Sequence, residues 1–312
     1  MAERISDQPV VPTLAPESSR PLPTPSFLAD LWELMKPRIM LLLLVTCAGA
    51  MVWAANGLPR VSVAVAALGG LALASGGASA INHVYDRDID RLMTRTQDRP
   101  IAAGRVEPWV GVALGVGLNV AAGVVLWTFT TGLAALLCLG GSVFYAVVYT
   151  MVLKRRTPQN IVIGGAAGAM PPLVGWAAVT GHVAWAPLVM FAIIFLWTPP
   201  HFWALAILAR AEYAKAGIPM LPVVRSERST AIQILVYTVA LVAFTIVPTL
   251  TGLLGYLYLT AALVLGGIFL RYAVRLLRTY SRDAARATFL YSLAYLALIF
   301  VAMGADRAIG GL

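Results

Sequence analysis

Residues 61–90 read VSVAVAALGGLALASGGASAINHVYDRDID, and this stretch decides both the fold and the place where chemistry is expected. Its first part, 61–82, carries no charged side chain. It is long enough to cross the hydrocarbon layer of a bilayer, which takes about 20 apolar residues. Asp86, Asp88 and Asp90 follow at once. Acids so close to hydrocarbon are costly and usually functional, so the stretch predicts a membrane span that ends in a polar site.

The rest of the chain repeats the apolar pattern of 61–82. Of its 312 residues, 60% are hydrophobic and only 12% are charged, with a mean hydropathy of +0.81. A soluble domain needs more charge than this to cover its surface. Cys47 and Cys138 fall inside apolar runs and are interpreted as small buried hydrophobes. The composition predicts an all-α polytopic membrane protein with nine transmembrane helices, at 39–57, 61–82, 108–128, 131–153, 160–179, 184–208, 231–250, 254–274 and 287–305.

The distribution of positive charge supports this count. The chain has 23 lysines and arginines, and only Arg60 and Arg307 fall on one side of the predicted membrane. Cytoplasmic connections are the ones enriched in Lys and Arg, so the N-terminus and the long connections 83–107 and 209–230 are predicted to be cytoplasmic. We accordingly predict that the net charge of +9 serves to bind the lipid headgroups of the bilayer and an anionic substrate, and that nucleic acid is not a partner.

The first 25 residues differ from the rest. They are rich in Pro and Ser, contain Glu3, Asp7 and Glu17, and have no apolar core of the signal-peptide type. We predict a disordered cytoplasmic tail at 1–25 and a single transmembrane domain at 26–312. This favours a bacterial inner (plasma) membrane over an organelle. Residues 27–36 show helical spacing of apolar side chains and are predicted to lie along the interface.

The acids at the end of the second predicted span share a helical face. Asn82, Asp86 and Asp90 are spaced by four residues, whereas Asp88 points the other way and is predicted to be solvated or paired with an arginine. Two carboxylates and an amide oxygen suit Mg²⁺ together with phosphate oxygens. The alternative is that these acids form only ion pairs with the arginines at 87, 91 and 95.

Basic residues follow on the same predicted side. Arg95 and Arg99 come directly after the acids, and Lys154 lies at the end of the fourth span. Arginine binds phosphate oxygens in a bidentate manner, so these residues are candidate ligands of a diphosphate, together with Arg210 and Lys215. The alternative is that they only anchor the topology.

The sixth predicted span contains Pro199 and Pro200, which predict a kink. His201 follows them among aromatic side chains and is a candidate substrate-facing residue, although a lone membrane histidine is often a satisfied core residue. Aromatic and polar residues nearby predict a haem or prenyl pocket: Trp197, Phe202, Trp203, Glu212 and Tyr213. The first three of these are also candidates for stabilising an allylic cation through their aromatic rings.

These residues resemble the UbiA-type intramembrane prenyltransferases, whose first aspartate motif reads Asn-x3-Asp-x3-Asp. More closely, the chain is similar to the branch of that family that farnesylates haem. The resemblance covers about residues 30–222, and Ala211 stands where relatives often carry a second acid. The matching segments are Lys36-Pro37-Arg38, 86–100, 154–160, Met170-Pro171-Pro172, 197–203 and 212–222.

The resemblance implies nine helices around a cavity in a UbiA-type bundle. It implies transfer of a farnesyl group from farnesyl diphosphate to a vinyl group of haem B, with Mg²⁺ as cofactor and haem O and diphosphate as products. Haem-handling or oxidase-assembly proteins are the partners it suggests. In this branch, His201 and the segment at Glu212 replace the second aspartate motif of other family members. Asp86, Asp90, Asn82 and His201 are then the catalytic candidates.

Three other functions are compatible with parts of this pattern. A prenyltransferase of quinone or chlorophyll precursors would share the first aspartate motif but would need the second. A secondary transporter would place polar residues near the midplane and often shows internal repeats. A haem carrier would not need the metal-binding stripe.

Overall fold

The structure, a computed structural model, describes residues 26–310, which are largely helical and contain no strand. The predicted tail at 1–25 lies outside the described residues. Within the described range, nine helices are long and apolar enough to cross a membrane, and they match the nine predicted stretches one for one. The predicted fold class is confirmed. The spans are Pro37–Ala54, Val61–Tyr85, Pro108–Phe129, Gly132–Leu153, Asn160–Thr180, Trp185–Leu208, Glu227–Leu250, Tyr256–Thr279 and Arg282–Ile309.

Short helices precede, interrupt and connect the spans. A helix is present at the N-terminal end of the described range, as predicted, and its position along a membrane interface stays a prediction. In chain order the helices are α1 (Phe27–Leu34), α2 (Pro37–Ala54), α3 (Val61–Tyr85), α4 (Arg87–Asp90), α5 (Pro108–Phe129), α6 (Gly132–Val143), a π-helix (Phe144–Leu153), α7 (Asn160–Ala169), α8 (Pro171–Thr180), α9 (Trp185–Leu208), α10 (Arg210–Lys215), α11 (Leu221–Val224), α12 (Glu227–Phe244), α13 (Val247–Leu250), α14 (Tyr256–Thr279) and α15 (Arg282–Gly310).

Three spans are built from two helical pieces. The fourth continues from α6 into the π-helix, the fifth changes from α7 to α8 at Met170, and the seventh changes from α12 to α13. Pro171 is the first residue of α8 and Pro248 the second residue of α13, positions in the first turn where a missing N–H group is tolerated. In the sixth span, α9 continues through Pro199 and Pro200 as one helix, and the predicted kink stays a prediction. Helix α9 is packed between α7, α12 and α15, which hold it in helical form.

Helices α3 and α5 approach closely through glycine. A Cβ atom on Gly77 would lie 2.6 Å from the backbone oxygen of Gly115 and would also collide with Asn119. Without side chains at this crossing, the two backbones come into direct contact, which is the usual way in which membrane helices gain packing energy. This contact fixes the end of α3, where the predicted acids lie.

The interior and the outer surface of the bundle are both apolar. Cys47 and Cys138 lie in the buried core, as interpreted from the sequence. On the outside, α5 exposes four valines spaced by four residues: Val112, Val116, Val120 and Val124. Such a stripe is unsuitable for water but suits lipid chains.

Candidate functional site

The predicted acid stripe is buried where α3 ends. The α-helix stops at Tyr85, but Asp86 N donates to Asn82 O over 2.9 Å and Asp90 N donates to Asp86 O over 2.8 Å. The spacing of four residues is therefore kept across the break between α3 and α4. Asn82, Asp86 and Asp90 are each at most 3% exposed. Buried acids need partners, and these come from three different parts of the chain.

Each polar side chain of the stripe is hydrogen-bonded to one cationic side chain. Lys154 Nζ lies 2.5 Å from Asp86 Oδ2, and Arg99 Nη1 donates to both carboxylate oxygens of Asp90, over 3.0 and 2.8 Å. The third cation is on Lys36, whose Nζ donates to Asn82 Oδ1 over 2.7 Å. These six residues (Lys36, Asn82, Asp86, Asp90, Arg99 and Lys154) form the charge cluster. Its cations outnumber its carboxylates, so the cluster favours an anionic ligand.

Sequence analysis gave no role to Lys36, although Lys36-Pro37 was part of the family resemblance. The backbone of Lys36 is left-handed, with φ 52° and ψ 59°. This conformation is rare for any residue other than glycine and unusual before proline. Burial, together with the charges of Arg99 and Lys154, holds the pKa of Lys36 well below its usual range. Strained residues cluster at functional sites, and here the strain turns an ammonium group toward the acids.

Asp88, which lies next to the stripe in sequence, also has a defined partner. Asp88 points away, as predicted, and Arg155 pairs with both of its oxygens at 2.6 and 2.7 Å. This hydrogen bond lowers the pKa of Asp88. The predicted alternative, pairing with the arginines at 87, 91 and 95, is not what the structure shows. Arg91, for example, donates to the backbone oxygen of Ala102.

The two long connections meet beside the charge cluster. Thr94, in the first, donates a short hydrogen bond to Oε1 of Glu212, in the second. The next residue, Tyr213, lies close enough to Arg95 and Arg99 for both charges to act on it, and burial raises its pKa. Glu212 Oε2 is buried and has no hydrogen-bond partner within residues 26–310. The connections therefore form one wall of the site.

The π-helix forms a second wall that sequence analysis missed. Thr150 is fully buried and accepts from Asn82 Nδ2 over 3.1 Å, while donating to Tyr145 O over 2.9 Å. Tyr145 and Tyr149 stack with ring centroids 5.4 Å apart. A π-helix often marks a functional site, but no sequence pattern announces it.

The oxygen atoms of the stripe fit a hard divalent cation. In the described part of the chain there is no group of three His, Cys, Asp or Glu side chains able to hold a metal alone. Mg²⁺, however, is commonly held by one or two carboxylates together with phosphate oxygens and water. Asp86 Oδ1 is buried and accepts no hydrogen bond from residues 26–310, with Arg155 Nη2 3.9 Å away. That free oxygen is available to a metal ion.

His201 lies in a separate group of residues between α9 and α15. Its ring stacks on Trp197, with centroids 4.3 Å apart, and on Phe289, at 4.8 Å, while Phe202 meets it edge to face. Its Nδ1 atom is 2.7 Å from Ser292 Oγ. These five residues form the histidine cluster. It contains two of the predicted pocket residues, Trp197 and Phe202, whereas Phe289 and Ser292 belong to a span without any matching motif.

The remaining candidates lie elsewhere. Trp203 is fully buried and packs edge to face on Tyr237 of α12, with centroids 5.4 Å apart. Arg210 pairs with Glu227 at 3.0 Å, with both side chains partly exposed. Arg95 and Lys215 are exposed. The structure thus brings Arg99 and Lys154 to the acids and leaves Arg210 paired at the surface.

Comparison with known proteins gives matches along most of the chain. Residues 42–299 match the model of the UbiA prenyltransferase family. A Gloeobacter violaceus protein named protoheme IX farnesyltransferase is 50% identical over 94% of this chain and 97% of its own length. A Pseudomonas fluorescens protein, protoheme IX farnesyltransferase 1, is 51% identical over 89% of this chain and 93% of its own length.

Two further comparisons concern length and fold. A Roseiflexus relative of the same name is 48% identical over 91% of this chain, which spans about half (53%) of that relative's length. Among solved structures, a digeranylgeranylglyceryl phosphate synthase aligns with a TM-score of 0.76 at 16% identity, over 90% of this chain and 98% of its own. A UbiA homolog from Archaeoglobus fulgidus, bound to DMAPP and Mg²⁺, aligns at 0.61 with 17% identity, over 88% and 99% of the two chains. At such identities the likeness concerns the fold.

Proposed function

This chain belongs to the UbiA prenyltransferase family, and we propose that it transfers a farnesyl group from farnesyl diphosphate to a vinyl group of haem B. The products are haem O, which serves the assembly of terminal oxidases, and diphosphate. The proposal is supported by relatives of about half-identical sequence that are named protoheme IX farnesyltransferase. The single structural observation that carries it is the charge cluster, in which three cations surround two buried carboxylates.

The charge cluster is the binding site for the diphosphate group. Asp86 and Asp90 would hold Mg²⁺ with help from Asn82, and the ion would supply a positive charge that stabilises the departing diphosphate. Arg99 and Lys154 then turn from carboxylate oxygens to phosphate oxygens, and Lys36 turns to them from the amide oxygen of Asn82. Their preorganised charges stabilise the negative charge that builds on the leaving group.

The reaction breaks a C–O bond and forms a C–C bond. Once the bond between C1 of the farnesyl group and the diphosphate oxygen has broken, the allylic cation lies beside the stacked rings of Tyr145 and Tyr149, whose faces attract it. The vinyl group of haem then attacks C1. Water adds to the resulting cation next to the ring and loses a proton, which leaves a hydroxyl group on the product.

The bilayer determines the route by which the two substrates reach the site. The farnesyl chain and the porphyrin ring of haem are apolar and enter from the lipid, while the diphosphate stays at the polar end of α3. From the distribution of Lys and Arg we assign this end to the cytoplasmic side of a bacterial inner membrane.

The proposed reaction is tested with membranes that contain the full chain, supplied with haem B, farnesyl diphosphate and Mg²⁺. Mass spectrometry of the haems should show the gain of one farnesyl group and one hydroxyl group. Asp86→Asn should remove this product, whereas Asp88→Asn, at an exposed carboxylate two residues away, should retain it. Prenylation of 4-hydroxybenzoate in place of haem would assign the chain to quinone synthesis instead. Absence of any prenylated product would refute the proposal.

A further inference from the structure

Ser292, in the last span, makes two separate hydrogen bonds to α9. Its backbone oxygen accepts from Trp197 Nε1 over 2.7 Å, and its hydroxyl oxygen lies 2.7 Å from His201 Nδ1. Trp197 and His201 are one helical turn apart, so one residue of α15 holds both rings. Ser292 itself is fully buried.

The hydroxyl proton of Ser292 is already used. Ser292 Oγ donates to the backbone oxygen of Phe289 over 2.6 Å. A hydroxyl has one proton, so toward His201 the same oxygen acts as an acceptor. The Nδ1 atom of His201 must then be the donor. A neutral imidazole carries one N–H group, and therefore its second nitrogen, Nε2, has a free lone pair.

The ring of His201 is also fixed in space. Trp197 and Phe289 stack on it with interplanar angles of 18° and 27°, which covers both of its faces. Within residues 26–310, Nε2 makes no hydrogen bond. Phe202 meets the ring edge to face, with centroids 5.0 Å apart. The lone pair of Nε2, which lies in the ring plane, is the polar position of the ring that has no partner among the described residues. A lone pair of this kind, on a histidine whose other nitrogen donates to a fixed acceptor, is the arrangement found in histidine ligands of metals.

We propose that Ser292 is a positioning residue that fixes His201 as the Nδ1–H tautomer, so that Nε2 binds the iron of the substrate haem. This inference rests on the proposed function, because it takes haem as the acceptor substrate. An iron–histidine bond fixes the centre of the macrocycle, and the surrounding aromatic rings fix the direction of approach. Haem then has one orientation relative to the farnesyl cation.

The test uses the full chain in lipid nanodiscs with ferrous haem B and no farnesyl diphosphate. Resonance Raman spectroscopy should show an iron–histidine stretching band, which is lost in His201→Gly and restored by added imidazole. In Ser292→Ala the band should move to lower frequency, because Nδ1–H loses its acceptor and Nε2 becomes a weaker ligand. Haem affinity should fall by about tenfold or more, as is usual when the hydrogen-bond partner of a metal-binding histidine is removed.

A matched control is available on the same helix. Thr288 is also fully buried, and its hydroxyl donates within α15 to Ala284 O over 2.8 Å. Thr288→Ala should leave the band and the haem affinity unchanged. Ser292→Ala keeps the backbone oxygen that binds Trp197, so it removes only the two bonds of the hydroxyl, to His201 and to Phe289 O.

The possible failures are distinguishable. If the wild-type protein converts haem B to the farnesylated product but His201→Gly retains the iron–histidine band, the proposed ligand is wrong and the proposed function stands. An unchanged band in Ser292→Ala would overturn the positioning role. If the wild-type protein yields no farnesylated haem, the proposed function itself fails.

Discussion

Lys36 and Asn82 are 46 residues apart in sequence, yet Lys36 Nζ donates to Asn82 Oδ1 over 2.7 Å. The bond joins the residue before the first span to the last turn of the second. It also orients the Asn82 amide, whose Nδ2 donates to Asp86 Oδ2 over 2.7 Å. A cation outside the acidic motif is thereby connected to both an amide and a carboxylate of the motif.

Removal of this cation should weaken binding of farnesyl diphosphate. We expect Lys36→Met to lower kcat/KM for farnesyl diphosphate by about 100-fold or more, the usual loss when one preorganised charge-stabilising donor is removed. Steady-state kinetics at saturating haem measure this.

Arg38 provides the matched control, because it is exposed and lies only two residues away. Arg38→Met removes the same charge from the same region and should change kcat/KM by less than about threefold, as expected for a solvent-screened charge. Equal losses in the two variants would mean that general positive charge at this end of the bundle, and not the bond to Asn82, is what matters.

Asp90 should control the dependence on magnesium. We expect Asp90→Asn to raise the Mg²⁺ concentration needed for half-maximal activity by at least about tenfold, because the amide keeps the shape but loses the charge that attracts the ion. The variant also frees Arg99 from its partner. Activity measured against Mg²⁺ concentration after treatment with a chelator tests this prediction.

If the chelator has no effect on the wild-type enzyme, the metal assignment is wrong for the whole stripe. If Asp90→Asn loses activity but keeps the wild-type Mg²⁺ dependence, Asp90 acts through Arg99 alone.

The close crossing of α3 and α5 should not accept a side chain. We expect Gly77→Ala to lower the free energy of unfolding by about 1–3 kcal/mol, the range found for overpacked cores, because the new Cβ atom would lie 2.6 Å from a backbone oxygen that cannot move aside. The midpoint of thermal unfolding in detergent measures the change.

Gly69 lies on the same helix, and a Cβ atom there meets nothing within 4 Å among the described residues. Gly69→Ala should therefore leave the midpoint unchanged or raise it slightly, because alanine favours helix more than glycine does. A similar loss in both variants would show that helix α3 tolerates no added methyl group and that the crossing has no special role.

The proposed orientation in the membrane predicts which residues a membrane-impermeant reagent can modify from outside the cell. Lys215 is exposed in the second long connection, and Leu58 is 92% exposed between the first and second spans. In intact spheroplasts, a membrane-impermeant maleimide should modify Leu58→Cys but should modify Lys215→Cys only after lysis. Both native cysteines are buried and give a low background. The opposite labelling pattern would place the charge cluster on the outer face.

The sequence predicted those features that depend on local composition. Nine spans followed from runs of about 20 apolar residues, and the acid stripe followed from a spacing of four, which survives the helix break at Asp86. Asp88 was correctly separated from the stripe because helical geometry alone directs it away.

The missed features depend on contacts between distant residues. Lys36 is one of several basic residues near the first span, and Ser292 is a single hydroxyl in an apolar helix, so neither has a local signal. The stacking of Tyr145 on Tyr149 arises in a π-helix that no periodicity announces. What distinguishes Lys36 is its left-handed backbone before Pro37, and this is visible only in the structure.

The two clusters also become complete at different times during biosynthesis. Every hydrogen bond and ion pair of the charge cluster joins residues between 36 and 155, whereas the histidine cluster needs Ser292. The buried acids can therefore be neutralised while the ribosome is still translating the second half of the chain. His201 is inserted into the membrane before Ser292 is synthesised, so its hydrogen bond to Ser292 forms only after the ninth span has been inserted. The nascent protein should thus be able to bind the diphosphate group before it can orient the haem.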